Sequence, residues 1–256
     1  MIRRLGNKSK LLHKIIPLFP DDISLFIDPF FGSGSVSFAM IGKVNKIIAN
    51  DLDSDVFNVF QVTKNQKEEL IDAITIFPIH EDLFKYWKTN QEDDPVWKAV
   101  RFLFLSNFGY MGQPDTLRFS VDSKPKVQIL KKIDNFQKKI QNIEFMNCDF
   151  RKVFEKISYN DERYKNKTFI YCDPPYLGTD NNYSNGLKLE DSEDLFQVLM
   201  DLGIRFAVSE FDNPTILDLA KKHKLNVNII GERRALTGKR TEILITNYET
   251  EKQMGF

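Results

Sequence analysis

The spacing of apolar residues changes along this chain, and each change marks an element. Short apolar runs rich in β-branched and aromatic residues, at 24–27, 46–50, 143–146, 168–172, 205–212, 226–230 and 242–248, predict buried strands. Helical spacing falls between them. Residues 8–16 place Leu11, Leu12, Ile15 and Ile16 on one face before Pro17, and 36–41, 192–202 and 214–222 follow the same period. From 56 to 141 the strand rhythm disappears, and helices are predicted at 56–62, 68–76, 81–89 and 96–105. Strands alternating with helices predict an α/β fold with a Rossmann-like, mostly parallel sheet, interrupted by a mainly helical insertion. The last two strands are too close in sequence for a helical crossover, so they are expected to pair antiparallel, joined by a basic loop at 232–240.

Polar residues at the strand ends carry the candidate chemistry. The strand 168–172 stops at Asp173-Pro174-Pro175-Tyr176, because consecutive prolines cannot continue a ladder and Pro174 forces Asp173 into an extended conformation. A carboxylate, a carbonyl and an aromatic ring are thereby fixed at the carboxyl edge of a strand, where open α/β sheets bind ligands. After the first strand comes Asp28-Pro29-Phe30-Phe31-Gly32-Ser33-Gly34, a glycine turn leading into a helix. The full dinucleotide fingerprint is missing, since position 37 is serine, so a pyrophosphate cofactor is less favoured. Asp51 ends the second strand, where an acid can bind ribose hydroxyls, with Asp53 or Ser54 left to cap the next helix. Asp149, after the third strand, either contacts a ligand or caps a helix starting near 151. Near the amino terminus, Gly6 permits a tight turn, and Lys8 and Lys10 can reach an anion.

Composition narrows the class. With 42% hydrophobic and 28% charged residues the chain is globular, and no apolar run has membrane-spanning length. Cys148 and Cys172 form neither a metal spacing nor a disulfide framework, which suits burial as small hydrophobes in a reducing cytoplasm. The 36 basic and 36 acidic residues cancel, so any nucleic-acid surface must come from segregated charge. Two segments segregate it. Residues 107–126 combine amides, aromatics, glycines and cations in a loop or hairpin, with Asn107, Tyr110, Gln113 and Arg118 suited to base edges or stacking and Lys124 and Lys126 to phosphates. The loop at 232–240 adds Arg233, Arg234, Lys239 and Arg240. Packing of the first segment on helices, and a solvated face for the lysines, are the alternatives.

The D-P-P-Y turn resembles that of amino-group methyltransferases acting on nucleic-acid bases with S-adenosylmethionine, and the Phe30-x-Gly32-x-Gly34 loop resembles their cofactor seat. Cofactor loop, then insertion, then D-P-P-Y is the order of the alpha, Dam-like adenine methyltransferases. The Arg4–Lys10 stretch resembles their amino-terminal Gly-Gly-Lys element, with Asn7 replacing the second glycine. The resemblance implies a Rossmann-like methyltransferase domain at 1–55 and 142–256, with a target-recognition domain inserted at 56–141. It also implies S-adenosylmethionine as cofactor, held by Gly6, Lys8, Asp28, Phe30, Phe31, Gly32, Gly34, Asp51, Asp149 and Asp173, with S-adenosylhomocysteine as product. Asp173, Pro174, Pro175 and Tyr176 would be catalytic, and no metal would be needed. Double-stranded DNA is the implied partner, with a cognate restriction endonuclease an open second one, and a monomer acting in the cytoplasm is expected. The insertion does not reproduce the Dam hairpin associated with GATC, which leaves the target sequence open. An RNA adenine methyltransferase and a catalytically inactive nucleotide-binding module are the competing readings.

Overall fold

The computed structural model describes residues 7–109, 124–156, 162–177, 187–235 and 238–250, with the side chains of Lys124 and of residues 233–239 outside that description. In chain order the strands are β1 (Leu25–Asp28), β2 (Lys46–Asn50), β3 (Ile143–Met146), β4 (Thr168–Cys172), β5 (Arg205–Phe211), β6 (Asn226–Ala235) and β7 (Gly238–Thr246). The α-helices are α1 (Leu12–Ile15), α2 (Ser35–Met40), α3 (Ser54–Asn65), α4 (Lys67–Ile76), α5 (Glu81–Thr89), α6 (Pro95–Phe108), α7 (Lys124–Ile140), α8 (Phe150–Lys156), α9 (Glu162–Asn166), α10 (Leu189–Leu202) and α11 (Pro214–Lys222). The chain divides into two compact units.

One unit, Lys8–Phe31, Ser35–Asn50 and Cys148–Phe256, contains six of these strands, in the order β2-β1-β4-β5-β7-β6. The first four run parallel, and β7 inserts antiparallel between β5 and β6. This is the antiparallel pairing expected for the last two strands. Phe26 and Phe169 are register partners on β1 and β4, and Phe19 packs on Phe169 with ring centres 4.7 Å apart and on Tyr171 at 5.5 Å. All four rings are buried, and truncating any one to alanine would cost about 3–5 kcal/mol. Because β4 is buried along its whole length and lies between β1 and β5, the turn that follows it is anchored from both sides.

Two expectations are corrected within this unit. The single helix expected at 8–16 is broken into a 3-10 turn at Lys8–Lys10, the short α1, and a second 3-10 turn at Ile16–Leu18 that absorbs Pro17. The basic loop expected at 232–240 is strand on both sides of residues 236–237: Arg233 pairs with Arg240 and Arg234 with Lys239 in antiparallel register. Strand pairing continues past the apolar run because the ladder is a backbone interaction, which charged side chains do not interrupt.

The other unit comprises Met1–Asn7, Gly32–Gly34 and Asp51–Asn147. Its helices bury Phe60, Leu70, Ile74, Phe84, Trp87, Val100 and Phe104. Asp94 starts α6 by accepting the Val96 and Trp97 N–H groups, both at 2.9 Å, and Pro95 occupies the first turn, where its missing N–H costs nothing. The buried Arg101 donates through Nε to the Trp87 and Asn90 carbonyls and pairs through Nη1 with Asp55. No helix among the described residues is long and apolar enough to cross a membrane.

Candidate active site

The sheet-bearing unit brings Asp28, Asp173, Tyr176 and Lys8 together from three separate stretches of chain. Lys8 is only 2% exposed, and its ammonium group sits 2.7 Å from Asp173 Oδ1 and 4.6 Å from the centre of the Tyr176 ring. Its backbone N–H donates to the Ser35 hydroxyl at 3.2 Å, which fixes the segment at the head of α2. Lys10, the other expected cation, is exposed. A lysine this deep requires a charged partner, since burying an ammonium alone is prohibitive. Asp173 supplies that partner while keeping 21% of its own side chain exposed.

Tyr176 is 9% exposed and packs edge-on against Phe211, with ring centres 4.5 Å apart. Burial, reinforced by the neighbouring Asp173 charge, pushes its phenol well above the usual tyrosine range, so it stays neutral. Pro174 is buried and Pro175 half-buried, which makes the turn stiff on both chemical and packing grounds. Asp28, 3% exposed, accepts the Ser37 hydroxyl at 2.5 Å and the Phe30 N–H at 3.3 Å, tying the end of β1 to α2.

Sequence reasoning missed two residues of this unit. Asn50, 1% exposed, donates to the Pro29 and Cys148 carbonyls and accepts the Cys148 N–H, so it joins the ends of β1 and β2 to the segment before α8. Glu210 is 2% exposed within β5; its two oxygens accept the N–H of Leu177, just past Tyr176, and of Phe211. A lone acid inside the apolar run Phe206–Phe211 was the available signal. Asp149 caps α8 through the Arg151 N–H at 2.9 Å. The Arg151 guanidinium also bridges Asp149, Asp191 and Asp194, at 3.2, 2.9 and 2.7 Å. Cys172 is buried, whereas Cys148 is half-buried and bonded to Asn50.

In the other unit, Gly32 and Gly34 have φ of 52° and 74°, left-handed values that a side chain would oppose. Asp51 accepts the Gly32 N–H at 2.7 Å through one oxygen and the Asp53 N–H at 2.9 Å through the other. The acid expected at the second strand's tip thus braces the glycine turn directly. Asp53, as one of the two capping candidates, does cap α3, accepting the Asp55 and Val56 N–H groups.

Two expected nucleic-acid contacts need correction. Asn107 lies in no loop: α6 runs on through Phe108, and Asn107 is 7% exposed with its amide donating to the Leu103 carbonyl at 2.9 Å. Lys126 lies in α7, and its ammonium donates to the Thr75 and Phe77 carbonyls at 2.8 and 2.9 Å, closing the carboxyl end of α4. Gly6, Tyr110, Gln113 and Arg118, and the side chains of Lys124, Arg233, Arg234 and Lys239, lie outside the described residues. The Arg240 guanidinium is described, 5.4 Å from the Phe211 ring centre.

The donor set can be tested against the cofactor that the glycine turn and D-P-P-Y motif suggest. In the sheet-bearing unit the carboxylates of Asp28 and Asp173 stand at the ends of β1 and β4, and such acceptors suit a cationic ligand better than a polyphosphate, which calls for cations. The residues therefore fit S-adenosylmethionine.

Residues 5–235 match the model of the D12 class N6 adenine-specific DNA methyltransferases. The chain belongs to this family. Among relatives of the D12 chain, the modification methylase StsI of Streptococcus sanguinis is 29% identical over 287 residues, which cover 96% of this chain and 42% of that protein. The type II methyltransferase M1.LlaDCHI of Lactococcus lactis subsp. cremoris is 26% identical, covering 95% of this chain and 93% of its own. The DNA adenine methylase of Escherichia coli strain K12 is 25% identical, again covering 95% and 93%. The chain thus spans well under half of StsI, and nearly all of the other two. D12 membership agrees with the family that the D-P-P-Y turn and glycine loop resemble.

Proposed function

We propose that this protein transfers a methyl group from S-adenosylmethionine to the exocyclic amino group of an adenine extruded from double-stranded DNA. The observation that carries the reading is the D-P-P-Y turn at the carboxyl end of β4, braced by Lys8, in a D12-family chain. Bound S-adenosylmethionine supplies an electrophilic methyl on a sulfonium, so no metal is needed to activate it. The residues we assign to hold it are Gly6, Lys8, Asp28, Phe30, Phe31, Gly32, Gly34, Asp51, Asp149 and Asp173.

The chain's own task is the nucleophile. An adenine amino nitrogen is weak because its lone pair is delocalised into the ring. Asp173 accepts one amino hydrogen bond and the Pro174 carbonyl the other, which localises the lone pair and favours positive charge developing on nitrogen. With Lys8 engaging Asp173 Oδ1, the second oxygen is the one assigned to the amino group. Pro175 stiffens the turn, and Tyr176 packs against the base, which must leave the stack to reach the turn.

Residues 56–141 are assigned to target recognition, and 1–55 with 142–256 to methyl transfer. Phosphate contacts are assigned to Lys124 and to the β6–β7 hairpin with Arg233, Arg234, Lys239 and Arg240, and base contacts to Tyr110, Gln113 and Arg118. We assign the protein to the cytoplasm as a monomer, and the name of the StsI relative, a modification methylase, supports a DNA-modifying role, with a cognate endonuclease as the second partner we assign. Incubation with radiolabelled S-adenosylmethionine and unmethylated DNA, beside structured RNA and an Asp173→Ala control, tests the assignment. Label recovered as 6-methyladenine in DNA and lost in the variant is expected; label in RNA alone overturns it.

A further inference from the structure

Glu210 sits where an apolar residue would be cheaper. β5 is a central strand of its unit, six of its seven residues are buried, and Glu210 pairs in register with Ile243 of β7. Its carboxylate nevertheless makes two directed contacts: Oε1 accepts the Leu177 N–H at 2.9 Å and Oε2 the Phe211 N–H at 2.7 Å. Leu177 is the residue immediately after the D-P-P-Y turn, and Phe211 is the ring on which Tyr176 packs. One side chain therefore fixes both the exit of the turn and the strand that carries the tyrosine's packing partner.

We propose that Glu210, in its ionised form, is a positioning residue that clamps the Asp173–Tyr176 turn in its productive geometry. The inference rests on the methyltransferase reading of this site. The carboxylate accepts both N–H groups at full strength, whereas protonation makes one oxygen a donor and weakens that arm. The charged and titratable groups around it are Asp173 on the turn, Lys8 on the first 3-10 turn, the neutral Tyr176, and Glu242 of β7, the register partner of Phe211. Burial pushes the Glu210 carboxyl up to about 7; Asp173 adds to this, while the two N–H groups and Lys8 oppose it. The protein thus keeps an acid whose ionisation near neutral pH is unfavourable to folding but needed for the clamp.

Stability and activity should then respond to pH in opposite directions. With a folded-state pKa raised from 4.5 to about 7, the Glu210 contribution to stability is fully present below 4.5 and is lost as pH rises through 7. Activity needs the ionised clamp, so it should fall as pH drops through the same value.

The experiment compares wild type with Glu210→Gln, which keeps the shape but offers one acceptor in place of two. Expected are an acid limb in the wild-type kcat with a midpoint near 7, its absence in the variant, and a loss of kcat of roughly 10–100-fold. The dissociation constant for S-adenosylmethionine should change by less than about twofold, since the clamp acts on the turn and binding draws on other residues as well. Thermal unfolding from pH 5 to pH 8 provides an arm that does not depend on methylation: the variant's melting temperature should gain on wild type as pH rises. A constant difference, or an acid limb retained in Glu210→Gln, overturns the proposal. If the variant fails to fold, carbon-13 NMR of the labelled glutamates in wild type decides, and a Glu210 carboxyl that stays protonated up to about pH 8 overturns it. Absence of methyl transfer by wild type with the thermal trend intact would refute the function reading and leave the buried clamp standing.

Discussion

The ammonium group of Lys8 lies 2.7 Å from Asp173 Oδ1, joining the 3-10 turn Lys8–Lys10 to the residue just after β4 in one ion pair. Either partner alone would be expensive: Lys8 would be a desolvated cation, and Asp173 an anion at the mouth of a rigid turn. The pair explains why a lysine near the amino terminus can affect chemistry at the end of β4.

Lys8→Met keeps the apolar stem and removes the charge. Breaking a buried pair costs about 3–5 kcal/mol, and partial exposure of Asp173 places this case near the lower end. Urea denaturation should show that loss, together with a fall in methyl transfer of roughly 100-fold from the misplaced carboxylate. In the double variant with Asp173→Asn the stability losses should be less than additive, because the two residues share one interaction.

Asp51→Ala removes the acceptor for the Gly32 and Asp53 N–H groups. One of these charge-assisted hydrogen bonds, from the Gly32 N–H, holds the turn after β1, and losing that bracing should weaken S-adenosylmethionine binding by about 10–100-fold. Calorimetric titration of the cofactor without DNA measures this directly; an unchanged affinity would remove Asp51 from the cofactor assignment.

Lys126→Met separates two roles that composition alone confuses. Since its ammonium closes the end of α4, the substitution should lower stability by about 1–2 kcal/mol and leave the salt dependence of DNA binding unchanged. A shallower salt slope would return Lys126 to the phosphate-binding set.

Arg240→Ala should do the reverse. Its guanidinium lies over Phe211, which packs on Tyr176, so a phosphate contact there would sit beside the catalytic turn. The slope of log affinity against log salt should fall by about 1, with the KM for duplex raised and kcat at saturating DNA little changed.

Much of the scaffold was legible because apolar periodicity and turn chemistry agree. The strands at 46–50, 143–146 and 168–172 and the helices at 81–89 and 214–222 lie where the pattern puts them. The pattern fails where charged residues occupy regular structure. Arg233 to Arg240 extends two strands without alternating apolar residues, and α7 opens on Lys124-Pro125-Lys126, which reads locally as a basic loop. Asn107 was misread for a related reason: its amide looks like a base reader in isolation, yet the apolar run before it continues the helix and buries it. At the candidate site, Asp173, Asp28 and Asp51 were visible as acids at strand ends. Asn50 and Glu210, which hold the backbone of neighbouring segments, were not singled out, because a polar residue inside a strand gains its meaning from neighbours distant in sequence.

The residues just after β2 are fastened to the end of β3, the strand on which the helical segment closes. The Asp51 N–H donates to the Met146 carbonyl at 3.3 Å, and the Asn147 amide donates to the carbonyls of Asp51 and Leu52 at 2.7 and 3.1 Å. A segment whose two ends are buttoned together closes its own loop, so its length and contents can vary at little entropic cost to what it is attached to. Such a junction makes the segment between Leu52 and β3 a cassette: evolution, or an engineer, can exchange its contents while the fastening stays in place.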